Sequence, residues 1–170
     1  MSQSALSGPD LAGVVADAEA VGLPYVVVGG FSVIFHGYVR ATKDSHLLVP
    51  DGAEANAAIV RFLTRIDARR FQDDRVLSAA DVVGEEHLRV NSRHGIIDIM
   101  RGGLPPLDFE TVAGRADVVD WNGQRVRIAA LPSVVGFKRL AGRPQDKLDL
   151  GELEAIHGKL PEEPIPGLDS

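Results

Sequence analysis

The chain has 170 residues, 45% hydrophobic and 25% charged, which supplies one folded core and excludes a disordered polyelectrolyte. A formal net charge of -6 excludes a general polyanion binder, so any contact with nucleic acid needs a local basic patch or a metal. The absence of cysteine excludes disulfides, thiolate zinc sites and cysteine nucleophiles. The opening residues MSQSALSGPD lack a basic start and an apolar run, and the longest apolar stretches fall far short of about 20 residues. Neither a signal peptide nor a membrane span is therefore expected, and a cytoplasmic location is.

In chain order, Pro9-Asp10 opens a helix over 9–22, with Leu11, Val14, Val15 and Ala18 on one face and Gly22 as its stop. Tyr25 to Val28 reads as a short strand ending in Gly29-Gly30, and Phe31 to His36 reads as helical. Asp44 to Val49 is a second strand, closed by Pro50-Asp51-Gly52. Ala53 to Ala68 is a helix containing Ala57, Val60, Phe62 and Leu63. His87 to Ser92 and Ile96 to Met100 flank Arg93-His94-Gly95 as a hairpin. Val118 to Trp121 and Gln124 to Ile128 flank Asn122-Gly123, the pair favoured where a tight turn needs positive φ. Pro132 opens a helix over 133–141, Gln145 to Ile156 forms the last helix, and the proline-rich tail PEEPIPGLDS reads as loose. This order predicts a mixed α/β (α+β) sheet with helices on one side. The domain reading is a core over 1–130, a helical part of the same domain over 131–160, and a flexible tail over 161–170.

Three segments carry candidate chemistry. In VVVGGFS, a strand ends in two glycines before a helix, which lets backbone N–H groups approach an anion, and Ser32 adds a hydroxyl. The same glycines are equally compatible with plain turn geometry, and the segment has neither Walker A nor dinucleotide-fingerprint spacing. In RATKDSHLLV, alternation puts Asp44 and His46 on one face of a strand. Asp44 then either holds a hard cation or caps the turn. In GIIDIM, Asp98 is flanked by aliphatics and is costly to bury alone, so it calls for a metal, hydrogen-bond donors or an arginine such as Arg40 or Arg101. Acids on adjacent strands beside a glycine turn suit two divalent ions clamping a triphosphate, and magnesium takes carboxylate and phosphate oxygens.

This pattern resembles the DNA polymerase β-like nucleotidyltransferase superfamily: a glycine turn, then Asp-x-Asp, then a third acid on a later strand. Within it, VVVGGFSVIFHGYVRATKDSHLLVP and LPSVVGFKRLAGRPQDKLDLGEL are similar to the AbiEii/MenT group of toxin nucleotidyltransferases, which show a glycine pair, an Arg-x-Thr-x-Asp run, a later lysine and Arg-x-x-Asp. The resemblance spans residues 24–50, 95–101 and 131–153. It implies a mixed twisted sheet flanked by helices with a short C-terminal helical annex. It implies that Gly29 and Gly30 hold phosphates, that Asp44 and Asp98 hold magnesium, and that Lys138 reaches the triphosphate. Arg143, Asp146 and Asp149 would organise the helical end or touch the nucleotide. From the residues alone, Lys138 is also readable as a solvated helix lysine, and Arg143, Asp146, Lys147 and Asp149 as a charged helix face.

His46 departs from the pattern, which expects aspartate. Imidazole is a poorer magnesium ligand than carboxylate. The site then works with Asp44 and Asp98 alone, prefers manganese, or binds nucleotide without turnover. The implied substrates are a nucleoside triphosphate (NTP) and the tRNA 3′ end, with Arg61, Arg65, Arg69 and Arg70 as candidate phosphate contacts or a solvated helix face. An antitoxin partner, including a kinase acting on Thr42 beside the acids, is implied as well. A transferase acting on a protein or a small molecule, and a non-catalytic nucleotide- or partner-binding module of the same fold, are the other readings.

Overall fold

A computed structural model describes residues 8–169. Residues 1–7, on which most of the signal-peptide expectation rests, and Ser170 lie outside it. In chain order the elements are α1 (Leu11–Ala20), β1 (Val26–Val28), α2 (Gly30–Phe35), β2 (Asp44–Val49), α3 (Ala53–Arg65), β3 (Arg69–Arg70), α4 (Ala79–Val82), β4 (His87–Ser92), β5 (Gly95–Arg101), α5 (Phe109–Arg115), β6 (Asp117–Trp121), β7 (Gln124–Ile128), α6 (Leu131–Ala141) and α7 (Pro144–His157). Every expected helix and strand forms, with ends shifted by at most three residues. The additions are β3, α4 and α5, short pieces whose lengths leave little periodicity to read.

Among the described residues the strands form one seven-stranded sheet in the order β3-β4-β5-β2-β1-β7-β6. The pair β2–β5 is parallel, as is β1–β7, while β1–β2, β4–β5, β3–β4 and β6–β7 are antiparallel. β1 sits near the centre and its three valines are buried on both faces, which is why it reads as an apolar run without alternation. Asn122 (φ 50°) and Gly123 (φ 84°) close β6–β7 in the expected left-handed turn.

Helices cover both faces of this sheet, not one. On one face Val27, Leu47, Val49, Ile97 and Ile99 pack with Val14 and Val15 of α1 and Ile59 and Phe62 of α3. On the other, Val26, Val28 and Leu48 pack with Val112 of α5, Val134 and Val135 of α6, and Leu153 of α7. The two-sided burial follows from central strands that are apolar on both faces. The tail, expected to be loose, is docked: Ile165 is buried, Arg115 pairs with Glu163 at 2.6 Å, and Arg139 pairs with Asp169 at 2.7 Å. Its prolines break helix, yet its isoleucine still has apolar surface to cover. Among the described residues no helix is long and apolar enough to cross a membrane.

Candidate active site

The site is built by strand register. β1, β2, β5 and β4 place Val28, His46, Asp98 and Arg89 side by side in one row. Residues two apart on a strand share a face, so Asp44 joins His46 and His87 joins Arg89. Five polar groups therefore gather where Leu48 and Met100 of the same strands meet the α6–α7 side.

Asp98, 1% exposed, is the centre of this group. Arg89 Nη1 donates to Asp98 Oδ2 at 2.6 Å and to Asp44 Oδ2 at 3.0 Å. His46 Nε2 lies 3.1 Å from both Asp44 Oδ1 and Asp98 Oδ2, and His87 Nε2 lies 2.9 Å from Asp98 Oδ1. Burial by itself would raise the Asp44 carboxyl, but hydrogen bonds and charge from His46 and Arg89 outweigh it and hold the group well below the usual carboxylate range. Neither arginine proposed from sequence serves Asp98. Arg40 pairs with Asp149, and Arg101 caps the end of β2 at Pro50 O and Asn56. Arg40 lies in the segment before β2 and Arg101 is the last residue of β5, whereas Arg89 stands directly across from Asp98.

The glycine turn lies against the same row. Gly29 has φ 71° and ψ −150°, and a Cβ there would sit 2.7 Å from His46 Cγ. A Cβ on Gly30 would sit 2.5 Å from Thr42 Oγ1. Ser32 is buried and donates to Gly29 O at 2.6 Å, so its hydroxyl closes the turn. Thr42 Oγ1 donates to the Asp44 carbonyl at 3.2 Å, beside the acids.

A second network abuts the turn. Lys138 Nζ, buried, bridges Asp146 Oδ1 (3.0 Å) and Asp149 Oδ2 (2.9 Å). Arg40 grips Asp149 through two bonds of 2.8 Å, and Arg143 donates to Asp146 Oδ2 from its backbone (3.1 Å) and its Nε (2.7 Å). Asp146 and Asp149 are fully buried, so the solvated-helix readings of Lys138, Asp146 and Asp149 do not hold. Arg143 is the solvent-facing cation of this network, and its ionisation is raised by Asp146 first and then by Asp44 and Asp98. Arg61 and Arg65 of α3 lie on the opposite face, where they reach Val21 O and Asp17; Arg69 of β3 turns to Asp74 O, and Arg70 pairs with Asp73 but also lines the cavity beside His87 and Arg89.

Asp44, His46 and Asp98 each offer one ligand atom, all within 4.8 Å of one another. Two carboxylates and one imidazole suit one divalent ion with some tolerance for nitrogen; they are too few for a pair of magnesium ions. Sequence reading missed Arg89 and His87. The signal was present, because a two-residue turn at Arg93-His94 puts Arg89 opposite Asp98. A cavity of about 390 Å³ opens beside these residues, lined among others by Phe71, Asp81, Glu85, His87 and Arg89.

No family model and no curated protein matches this sequence. The fold, a mixed sheet with helices on both faces, is of the nucleotidyltransferase type. Solved structures that share it include the antibiotic-resistance factor ANT(2'')-Ia, with TM-score 0.59 and 13% identity over 85% of this chain and 80% of that one. The lincomycin-bound lincosamide antibiotic adenylyltransferase LnuA superposes with TM-score 0.58 and 13% identity over 84% of this chain and 93% of that one. An antigenic nucleotidyltransferase-like protein from Paracoccidioides brasiliensis gives TM-score 0.54 and 13% identity over 88% and 77%. At these identities the likeness is one of fold.

Proposed function

We propose that this chain transfers a nucleotide from an NTP to a hydroxyl acceptor at the face carrying Asp44 and Asp98. The observation that carries the reading is the placement of two carboxylates, from adjacent parallel strands, against a glycine turn that has no room for side chains. Asp44, Asp98 and His46 would hold one ion, magnesium or manganese, which when bound neutralises phosphate charge and polarises the phosphoryl oxygens. Gly29 and Gly30 would offer backbone N–H groups to the phosphates, and Arg143 supplies an exposed positive charge nearby. Lys138 keeps Asp146 and, through Asp149, Arg40 in position behind the turn. Asp98 orients His87 through Nε2, which leaves Nδ1 to take the acceptor's proton, the logic of a carboxylate-oriented histidine base.

The tRNA 3′ end is the acceptor favoured by the likeness of RATKDSHLLV and the helical end to the AbiEii/MenT group, and a growth-inhibiting toxin with an antitoxin partner follows from it. Phosphorylation of Thr42, whose hydroxyl abuts Gly30 and the Asp44 carbonyl, would add about -1.5 to -2 charges where phosphates are to bind. A small-molecule acceptor is the second reading, favoured by the cavity that shares His87 and Arg89 with the acids. Incubation with labelled NTPs and either total tRNA or hydroxylated small molecules, with magnesium or manganese, separates these readings. Label on tRNA that is lost in Asp44→Ala supports the first, label on the small molecule supports the second, and no label with either metal refutes transfer. A gain of activity in His46→Asp would show that histidine limits the site.

A further inference from the structure

Asp98 is buried, and a buried carboxylate group is costly to leave without a partner. In this fold a partner comes from the protein. Arg89 Nη1 spans Asp98 Oδ2 and Asp44 Oδ2, one oxygen of each acid. A divalent ion held by both acids would have to share them with a guanidinium that already takes one oxygen of each, and the two like charges would repel. Arginine cannot escape the conflict by losing its proton, because its charge is permanent.

We propose that Arg89 is the resident cation of the site and competes with the divalent ion for the Asp44–Asp98 pair. The proposal rests on reading this face as a cation site. In the same conformation its guanidinium carbon lies 4.7 Å from the centroid of the Phe71 ring, exposed at the cavity, an aromatic contact that does not depend on the acids. Leaving the acids therefore does not strand it. The free protein keeps its acids satisfied and binds divalent ions weakly. An ion displaces Arg89 most readily when a triphosphate brings further oxygen ligands with it. Arg89 thus sets the threshold at which the site takes up metal.

The test reads ion binding rather than turnover. Manganese is titrated into the full chain without nucleotide and free ion is followed by electron paramagnetic resonance, for the wild type, Arg89→Ala and Arg89→Gln. Thermal melting is recorded in parallel with chelator and with manganese. Removing the competing charge should tighten manganese binding by about tenfold or more. The variants should melt lower than wild type in chelator and recover with manganese, and adding Asp44→Asn to Arg89→Gln should abolish the gain. A variant folded only with manganese gives the same support. Unchanged or weaker manganese binding in both variants overturns the proposal, as does failure of both to fold even with manganese. Absence of nucleotide transfer by the wild type would count against the proposed function and leave this result standing.

Discussion

His46 and Gly29 have to be considered together. The imidazole fills the space that a side chain on Gly29 would need, so the glycine is required both by its left-handed φ of 71° and by contact. Gly29→Ala should cost about 1–3 kcal/mol from backbone strain and should push His46 off the two acids. Urea unfolding measures the first effect and manganese affinity the second. An alanine variant with wild-type values in both would show that the turn is not held as described. Asp98 shows the limit of reading single residues. Its aliphatic neighbours announce a costly burial, but two of its partners sit 9 and 11 positions upstream on one adjacent strand and a third, His46, on the other.

At the scale of elements, the junction of α6 and α7 depends on Lys138. Gly142 ends α6 in the left-handed conformation, Pro144 starts α7, and Asp146 caps its first turn through the Arg143 N–H. The turn so formed brings Asp146 and Asp149 onto the Lys138 ammonium away from water. Lys138→Met should destabilise the protein by about 3–5 kcal/mol, since two buried carboxylates lose a shared cation. Lys147→Ala, on the exposed side of α7, should change stability by less than about 0.5 kcal/mol. Equal effects in urea denaturation would contradict the bridging role of Lys138. The hairpin elements were the most legible from sequence, because Asn122-Gly123 names its own turn. The short β3 and α5 were not, being ordered by what they pack on.

For the whole molecule, acid sensitivity is built in on both faces of the sheet. Burial pushes the carboxyls of Asp17, Asp44, Asp146 and Asp149 upward, but their cationic and hydrogen-bonding partners outweigh it. Those partners are His94, Arg65 and Arg93 for Asp17, His46 and Arg89 for Asp44, Arg143 and Lys138 for Asp146, and Arg40, Lys138 and Gln145 for Asp149. All four therefore end below the usual range. In the unfolded chain the same groups take up protons near pH 4, before the folded ones do. Their stabilisation is fully present above that pH and is lost as pH falls through the lower folded values. Melting temperature should drop steeply below about pH 4. Burial raises the Tyr25 hydroxyl to about 12, so its contribution is present below about pH 10 and is lost as pH rises toward the folded value. Melting temperatures that stay level at both extremes would rule out this linkage.

The sequence by itself determined the glycine turn, the strand bearing Asp44 and His46, the buried Asp98, and the fold class they point to. Each of these is written in local spacing, as a period of two, a helix stop or a turn pair. Only the tertiary structure decided who neutralises the acids, which face of the sheet is chemical, and that helices cover both faces. Those facts depend on register between strands distant in sequence. A shift of one residue in the β4–β5 pairing would turn Arg89 to the other face and leave Asp98 without it.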